Sequence, residues 1–248
     1  SKHKDTLWID RVETYRFSVE LYTPSGALID KIGSADLSFL QDEGYQPEYL
    51  WVNAPGNDAR MPALLIKPKN FDPSKKYPVI EYLYAGSHTI FIPRFFLMNP
   101  ELQFIANQGY VIVVSDTRGT PGQGKKYQDY IYGRMGQIEI ADHAYVLEQL
   151  ANERPFMDLD KVGVTGGSWG GYFTIKALLE RPDLYKAGFI TAASTDLSTM
   201  RVPVEIYMGC LPSECPDKYA QGDNTNKLQN FKAPLFIMHG TNDDDVPK

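Results

Sequence analysis

Ser168 stands between paired glycines in Gly166-Gly-Ser-Trp-Gly-Gly171, after the run Lys161-Val-Gly-Val-Thr165. Val162 and Val164 read as a strand, while Phe173, Ala177 and Leu178 recur at helical spacing until Pro182 stops the pattern. A strand that turns through Gly-x-Ser-x-Gly into a helix is a nucleophile elbow, because glycines on both sides let the backbone fold back and leave the serine hydroxyl clear. Its chemistry is attack on an acyl carbonyl, which requires an imidazole to take the hydroxyl proton and a carboxylate to orient that imidazole. In a chain with 20 glycines the bare pattern is weak. The alternative is a glycine-rich turn with a spectator serine, and the flanking strand and helix favour the elbow.

The elements that must hold this turn can be read from both ends of the chain. Arg16–Leu21 and Ala27–Ile32, joined by Thr23-Pro-Ser-Gly26, predict a β-hairpin, and 33–44 predict a linker. Tyr49–Val52 and Ala63–Ile66 flank the turn Asn53-Ala-Pro-Gly-Asn57 and predict two antiparallel strands. Strand and helix then alternate: strand Tyr77–Tyr84, helix Glu101–Gln108, strand Tyr110–Ser115, a glycine-rich loop, and a helix over 137–152 striped by Ile140, Ala144, Leu147 and Ala151. The elbow strand, Ala187–Thr191 and Pro234–His239 complete the set. Two antiparallel strands followed by five parallel ones, with the nucleophile after the third of the five, is the order of the α/β-hydrolase fold, a mostly parallel sheet flanked by helices.

In that order the acid follows the next strand but one, and serine, acid and histidine come in sequence. Leu235-Phe-Ile-Met238 ends in His239-Gly-Thr-Asn-Asp-Asp-Asp245, and Asp243 is the candidate acid, with a solvated acidic turn as the plain alternative. The oxyanion would be met by the main-chain N–H of Trp169 and by a donor from the loop that begins Tyr84-Ala-Gly86, where the Tyr84 hydroxyl is in place. His3, His88, His143 and His239 all precede Asp243. His3 is terminal, His143 beside Asp142 on its helix is expected at the surface, His239 is expected to bond locally, and His88 lies near the site edge. The base is therefore expected beyond Lys248, and residues 1–248 alone are expected to be nearly inactive.

A net charge of −6 without a long basic run argues against nucleic acid as a partner. No apolar run approaches a transmembrane span, and the polar start is no signal peptide. Cys210 and Cys215 stand five apart, where a local disulfide and two reduced thiols are both open, and neither has the neighbours of a metal site. No metal or organic cofactor is called for.

Tyr84-Ala-Gly, Asp116-Thr-Arg-Gly, Gly166-Gly-Ser-Trp-Gly-Gly and His239-Gly-Thr-Asn-Asp-Asp-Asp-Val246, in this order, resemble the catalytic domain of the prolyl oligopeptidase family, in its dipeptidyl peptidase IV-like branch. The resemblance implies a serine peptidase that cleaves oligopeptides through an acyl-enzyme on Ser168, with Tyr84 and the Trp169 amide as oxyanion donors and Asp243 as acid. It implies two parts: residues 1–45 as hairpin and linker, the end of a preceding β-propeller, and 46–248 as an incomplete hydrolase domain. A homodimer is a candidate assembly. The interval 197–206, where the branch carries aromatic residues, has none here. A pocket with Leu197 and Met200 would suit a broader set of apolar side chains than proline, and Asp245, where the branch has Asn, would act with Val246 on the substrate backbone. Two alternatives stay open: an esterase or acyl-peptide hydrolase on the same scaffold, and a non-catalytic binding module.

Overall fold

The computed structural model describes residues 7–13, 16–36, 44–92, 100–199 and 204–246. Three strands, β1 (Leu7–Glu13), β2 (Arg16–Tyr22) and β3 (Leu28–Asp36), form a small antiparallel sheet in that order. The expected hairpin is β2–β3, closed where the Thr23 hydroxyl accepts the Ala27 amide at 3.0 Å. β1 had no expectation attached to it. β3 also runs on past Gly33, into the stretch expected as linker, because Arg16 and Phe17 still pair with Asp36 and Ala35. A main-chain ladder outweighs the poor strand propensity of Gly, Ser and Asp. The rest of that stretch, 37–43, lies outside the described residues.

Seven strands make the main sheet: β4 (Glu48–Asn53), β5 (Arg60–Ile66), β6 (Tyr77–Tyr82), β7 (Val111–Ser115), β8 (Met157–Gly167), β9 (Tyr185–Thr191) and β10 (Leu235–Met238). Their order is β10-β9-β8-β6-β7-β5-β4. β4 and β5 are antiparallel to their neighbours, and β6 to β10 run parallel to one another. This is the expected count and the expected place for the nucleophile, at the end of the third parallel strand.

The helices are α1 (Pro100–Ala106), α2 (Lys125–Gln128), α3 (Glu139–Glu153), α4 (Trp169–Glu180), α5 (Glu205–Met208) and α6 (Pro216–Gly222). β7 shows why such strands need helices on both sides, for every one of its residues is buried. Val111 and Val113 join Ala144, Leu147, Phe173 and Ala177 of α3 and α4 on one face. Ile112 and Val114 point the other way, to Leu102 and Ala106 of α1 and to Tyr45. Between Gly209 and α6, Cys210 and Cys215 are joined in a disulfide.

Candidate active site

Chemistry-bearing residues gather where the parallel strands end. Among the described residues, four non-glycine residues have positive φ: Asn57 in a turn, and Ala85, Ser168 and Ala192 just past β6, β8 and β9. Backbone strain of this kind costs about 1–3 kcal/mol per residue and persists only where surrounding contacts impose it. At Ser168 (φ 54°, ψ −117°) those contacts are visible. Its N–H donates to Thr191 O at 2.9 Å, and its own carbonyl accepts the amides of Gly171 and Tyr172 at 3.0 and 3.2 Å. The turn is tight because Gly166 is squeezed between strand and helix. A Cβ there would lie 2.5 Å from Leu83 O and 2.6 Å from the Gly170 carbonyl.

The result is an exposed Ser168 followed by a buried Trp169. Trp169 is the first residue of α4, so its N–H is one of the helix donors with no acceptor inside the helix. Such a donor, at the positive end of the helix dipole, suits developing negative charge.

Tyr84 follows β6, next to the elbow strand. Burial raises its phenol above the ordinary value, and a hydrogen bond with the Ser168 hydroxyl pulls it back in part. The Tyr84 hydroxyl also meets His88 Nε2 at 3.2 Å, and the His88 ring stands edge-on to Trp169, with centroids 5.5 Å apart. Partial burial lowers the His88 pKa, and the ring is engaged with Tyr84.

Asp243 follows β10 at the same edge of the sheet. Its Oδ1 accepts the amides of Asp245 and Val246 at 3.0 and 2.9 Å, which folds the loop around the carboxylate. His239 Nε2 donates to Val246 O at 2.6 Å and lies 3.9 Å from Asp243 Oδ2. It bonds within its own loop, as expected. Asp245 is exposed and Val246 half-buried. Leu197 is 1 % exposed and belongs to the core, where its side chain packs over Gly136 and Gly222. Met200 and His3 lie outside the described residues.

One expectation is corrected. His143 is not at the surface but wholly buried, with Nδ1 2.9 Å from Glu81 Oε1 and 3.0 Å from Ser115 Oγ. Tyr185 donates to the other Glu81 oxygen at 2.7 Å. Burial lowers the imidazole's pKa, but Glu81, aided by Asp142 and Asp116, outweighs that and holds it above its ordinary value. The signal was in the spacing. His143 is three residues after Ile140 and four before Leu147, on the stripe that α3 buries.

Sequence reasoning also gave no role to Asp116, at the end of β7. It is 2 % exposed, and its carboxylate accepts the amides of Phe91 and Ile92. Burial pushes its pKa up to about 6, against the pull of those two amides. Only the short range was legible here, since nothing in the motif Asp116-Thr-Arg-Gly says which distant amides it receives. Among the described residues, no three His, Cys, Asp or Glu side chains gather to hold a metal ion. Nor is any described helix long and apolar enough to cross a membrane.

Comparison with known proteins agrees with this geometry. Residues 96–248 match the Prolyl oligopeptidase family. The chain is 33% identical over 189 residues to dipeptidyl peptidase 8 of Homo sapiens, covering 74% of this chain and 21% of that protein. It is 33% identical over 190 residues to the probable dipeptidyl-aminopeptidase B of Ajellomyces capsulatus (strain H88), covering 75% and 20%. The structure of Porphyromonas gingivalis dipeptidyl peptidase 4 superposes with a TM-score of 0.86 at 23% identity, over 99% of this chain and 35% of that one. The chain thus spans about a fifth of the length of the curated relatives it matches.

Proposed function

The chain belongs to the prolyl oligopeptidase family, and from that premise we propose that the protein is a serine peptidase that cleaves oligopeptides through an acyl-enzyme on Ser168. One observation carries the reading. An exposed serine is held in a strained turn between β8 and α4, with the Tyr84 hydroxyl beside it and the orphan N–H of Trp169 next in the chain.

In the proposed mechanism Ser168 Oγ attacks the scissile carbonyl carbon while an imidazole takes its proton. The carbonyl oxygen becomes an oxyanion and receives hydrogen bonds from Trp169 N–H and Tyr84 Oη–H, which strengthen as charge develops. Asp243 fixes the tautomer of the neutral imidazole and stabilises the imidazolium, which returns the proton to the leaving amine. Water then attacks the acyl-enzyme by the same route in reverse. We assign the base to a histidine other than His88, His143 and His239, which are engaged with Tyr84, Glu81 and Val246. Asp245 and Val246, whose amides are fixed on Asp243, are assigned to substrate contact. Residues 1–45 are assigned to the end of a preceding β-propeller, supported by the separate antiparallel sheet of β1 to β3.

The test is labelling by a fluorophosphonate probe, read by intact mass, in the whole protein and its Ser168→Ala variant. One probe adduct in the first and none in the second is expected. Absence of labelling in folded protein would remove the peptidase reading. Rates on a peptide amide against a simple ester then separate a peptidase from an esterase built on the same scaffold.

A further inference from the structure

An oxyanion donor is effective only if its hydrogen-bonding atom is held within about 0.5 Å of the productive position. Tyr84 sits at the start of a loop ill suited to that by itself. Its neighbour Ala85 has φ 54°, His88 and Ile90 are exposed, and the internal turn bond, Thr89 N–H to Gly86 O, is long at 3.3 Å. Rigidity must come from outside the loop.

It comes through two side chains. Asp116 presents both carboxylate oxygens to the far end of the loop, meeting Phe91 N at 3.0 and 3.1 Å and Ile92 N at 2.7 Å. With its backbone clamped, Phe91 lays its ring on that of Tyr84, centroids 5.4 Å apart and planes within 23°, and also meets Tyr82 at 4.9 Å. The Gly86 backbone is close on Tyr84 as well, for a Cβ there would come within 2.6 Å of Tyr84 Cε1. The Tyr84 ring is therefore packed against both the Phe91 ring and the Gly86 backbone, and Gln128 secures the middle of the loop through Ser87 O at 2.9 Å. Asp116 itself is buried and pointed at amides, so it is a positioning residue rather than a catalytic one.

We infer that Asp116 and Phe91 form a relay, carboxylate to amide to ring, that fixes the Tyr84 phenol for its work on the oxyanion. The inference rests on the proposed peptidase chemistry. It predicts that the relay has value only through the Tyr84 hydroxyl.

A double-mutant cycle reads this directly. In the whole protein, Asp116→Asn and Phe91→Leu are each made alone and together with Tyr84→Phe, and the maximal rate and half-saturation of Ser168 phosphonylation by a fluorophosphonate, with loss of fluoride, are measured. Asp116→Asn replaces one acceptor by a donor facing an N–H; Phe91→Leu keeps apolar volume but removes the ring face. Tyr84→Phe should lower the maximal rate by about 10²-fold. Each relay variant should lower it by about tenfold with half-saturation unchanged. Added to Tyr84→Phe, each should cost less than about twofold. Melting temperatures confirm that the variants are folded, and Phe91→Leu carries the test where Asp116→Asn does not fold. Equal losses in both backgrounds, or none in either, would overturn the relay and leave the peptidase reading intact. A folded wild-type protein that does not label would overturn both.

Discussion

Gly166→Ala tests how the turn is built. Gly166 has an ordinary negative φ, so alanine meets no backbone strain there, only neighbours. Its Cβ would stand 2.5 Å from Leu83 O and 2.6 Å from Gly170 C and O, roughly 0.9 Å inside the 3.4 Å at which ordinary contact begins. Both neighbours are backbone, and they lie in different elements. Relief requires the end of β6, with Tyr84, to move away from the start of α4, with Trp169. The two proposed oxyanion donors then separate. Overpacking costs about 1–3 kcal/mol, and the lower entropy of the unfolded alanine chain returns about 0.4–1. The net loss of about 1–2 kcal/mol corresponds to a fall in melting temperature of about 2–8 °C for a domain of this size. A displacement of about 1 Å at the reacting centre costs about 10²-fold in rate, far more than the stability change implies. The assay is the fluorophosphonate labelling rate of the whole protein well below the variant's melting temperature. Gly163→Ala serves as the control, since the nearest atom to its Cβ is 3.8 Å away. Labelling of Gly166→Ala within about threefold of wild type would refute the reasoning, because it would mean that the donors tolerate about 1 Å or do not act.

Other outcomes follow from the same structure. Ser168→Gly should abolish labelling yet raise stability by about 1 kcal/mol, because glycine accepts the positive φ that serine endures; a lower melting temperature would contradict the strain. Asp243→Asn should lower the labelling rate by about 10⁴-fold through loss of imidazole orientation, and a loss below about tenfold would exclude it as the acid. The His143 pKa is raised in the folded protein, so its stabilising contribution is complete below the unfolded value of 6.5 and is lost as pH rises through the folded value. Urea unfolding across that range should show stability declining with pH in wild type, and a flatter profile in His143→Gln. Equal slopes would remove His143 as the cause.

What the sequence by itself determined was local or periodic. Paired glycines around Ser168 specify a sharp turn by their backbone freedom, although most of the Cβ clashes they avoid are with distant segments, at Leu83, Thr191 and Ala193. Alternating strand and helix patterns fix a parallel sheet, and the order of antiparallel and parallel strands places the nucleophile and Asp243 at one edge. These follow from local backbone freedom and from the need to bury apolar faces. β1 was missed because its pairing is decided by β2 rather than by a strong pattern of its own, and β3 outran its expected end for the same reason. Tertiary structure alone decided the fate of the polar residues. The apolar stripe of α3 already put His143 on the buried face, but only the fold brought Glu81 and Ser115 to its ring. Asp116 became a clamp only when the end of β7 met a loop some 24 residues earlier in the chain. Charged and hydrogen-bonding groups are satisfied by whichever partners the fold brings within about 3 Å, and sequence spacing does not encode that distance.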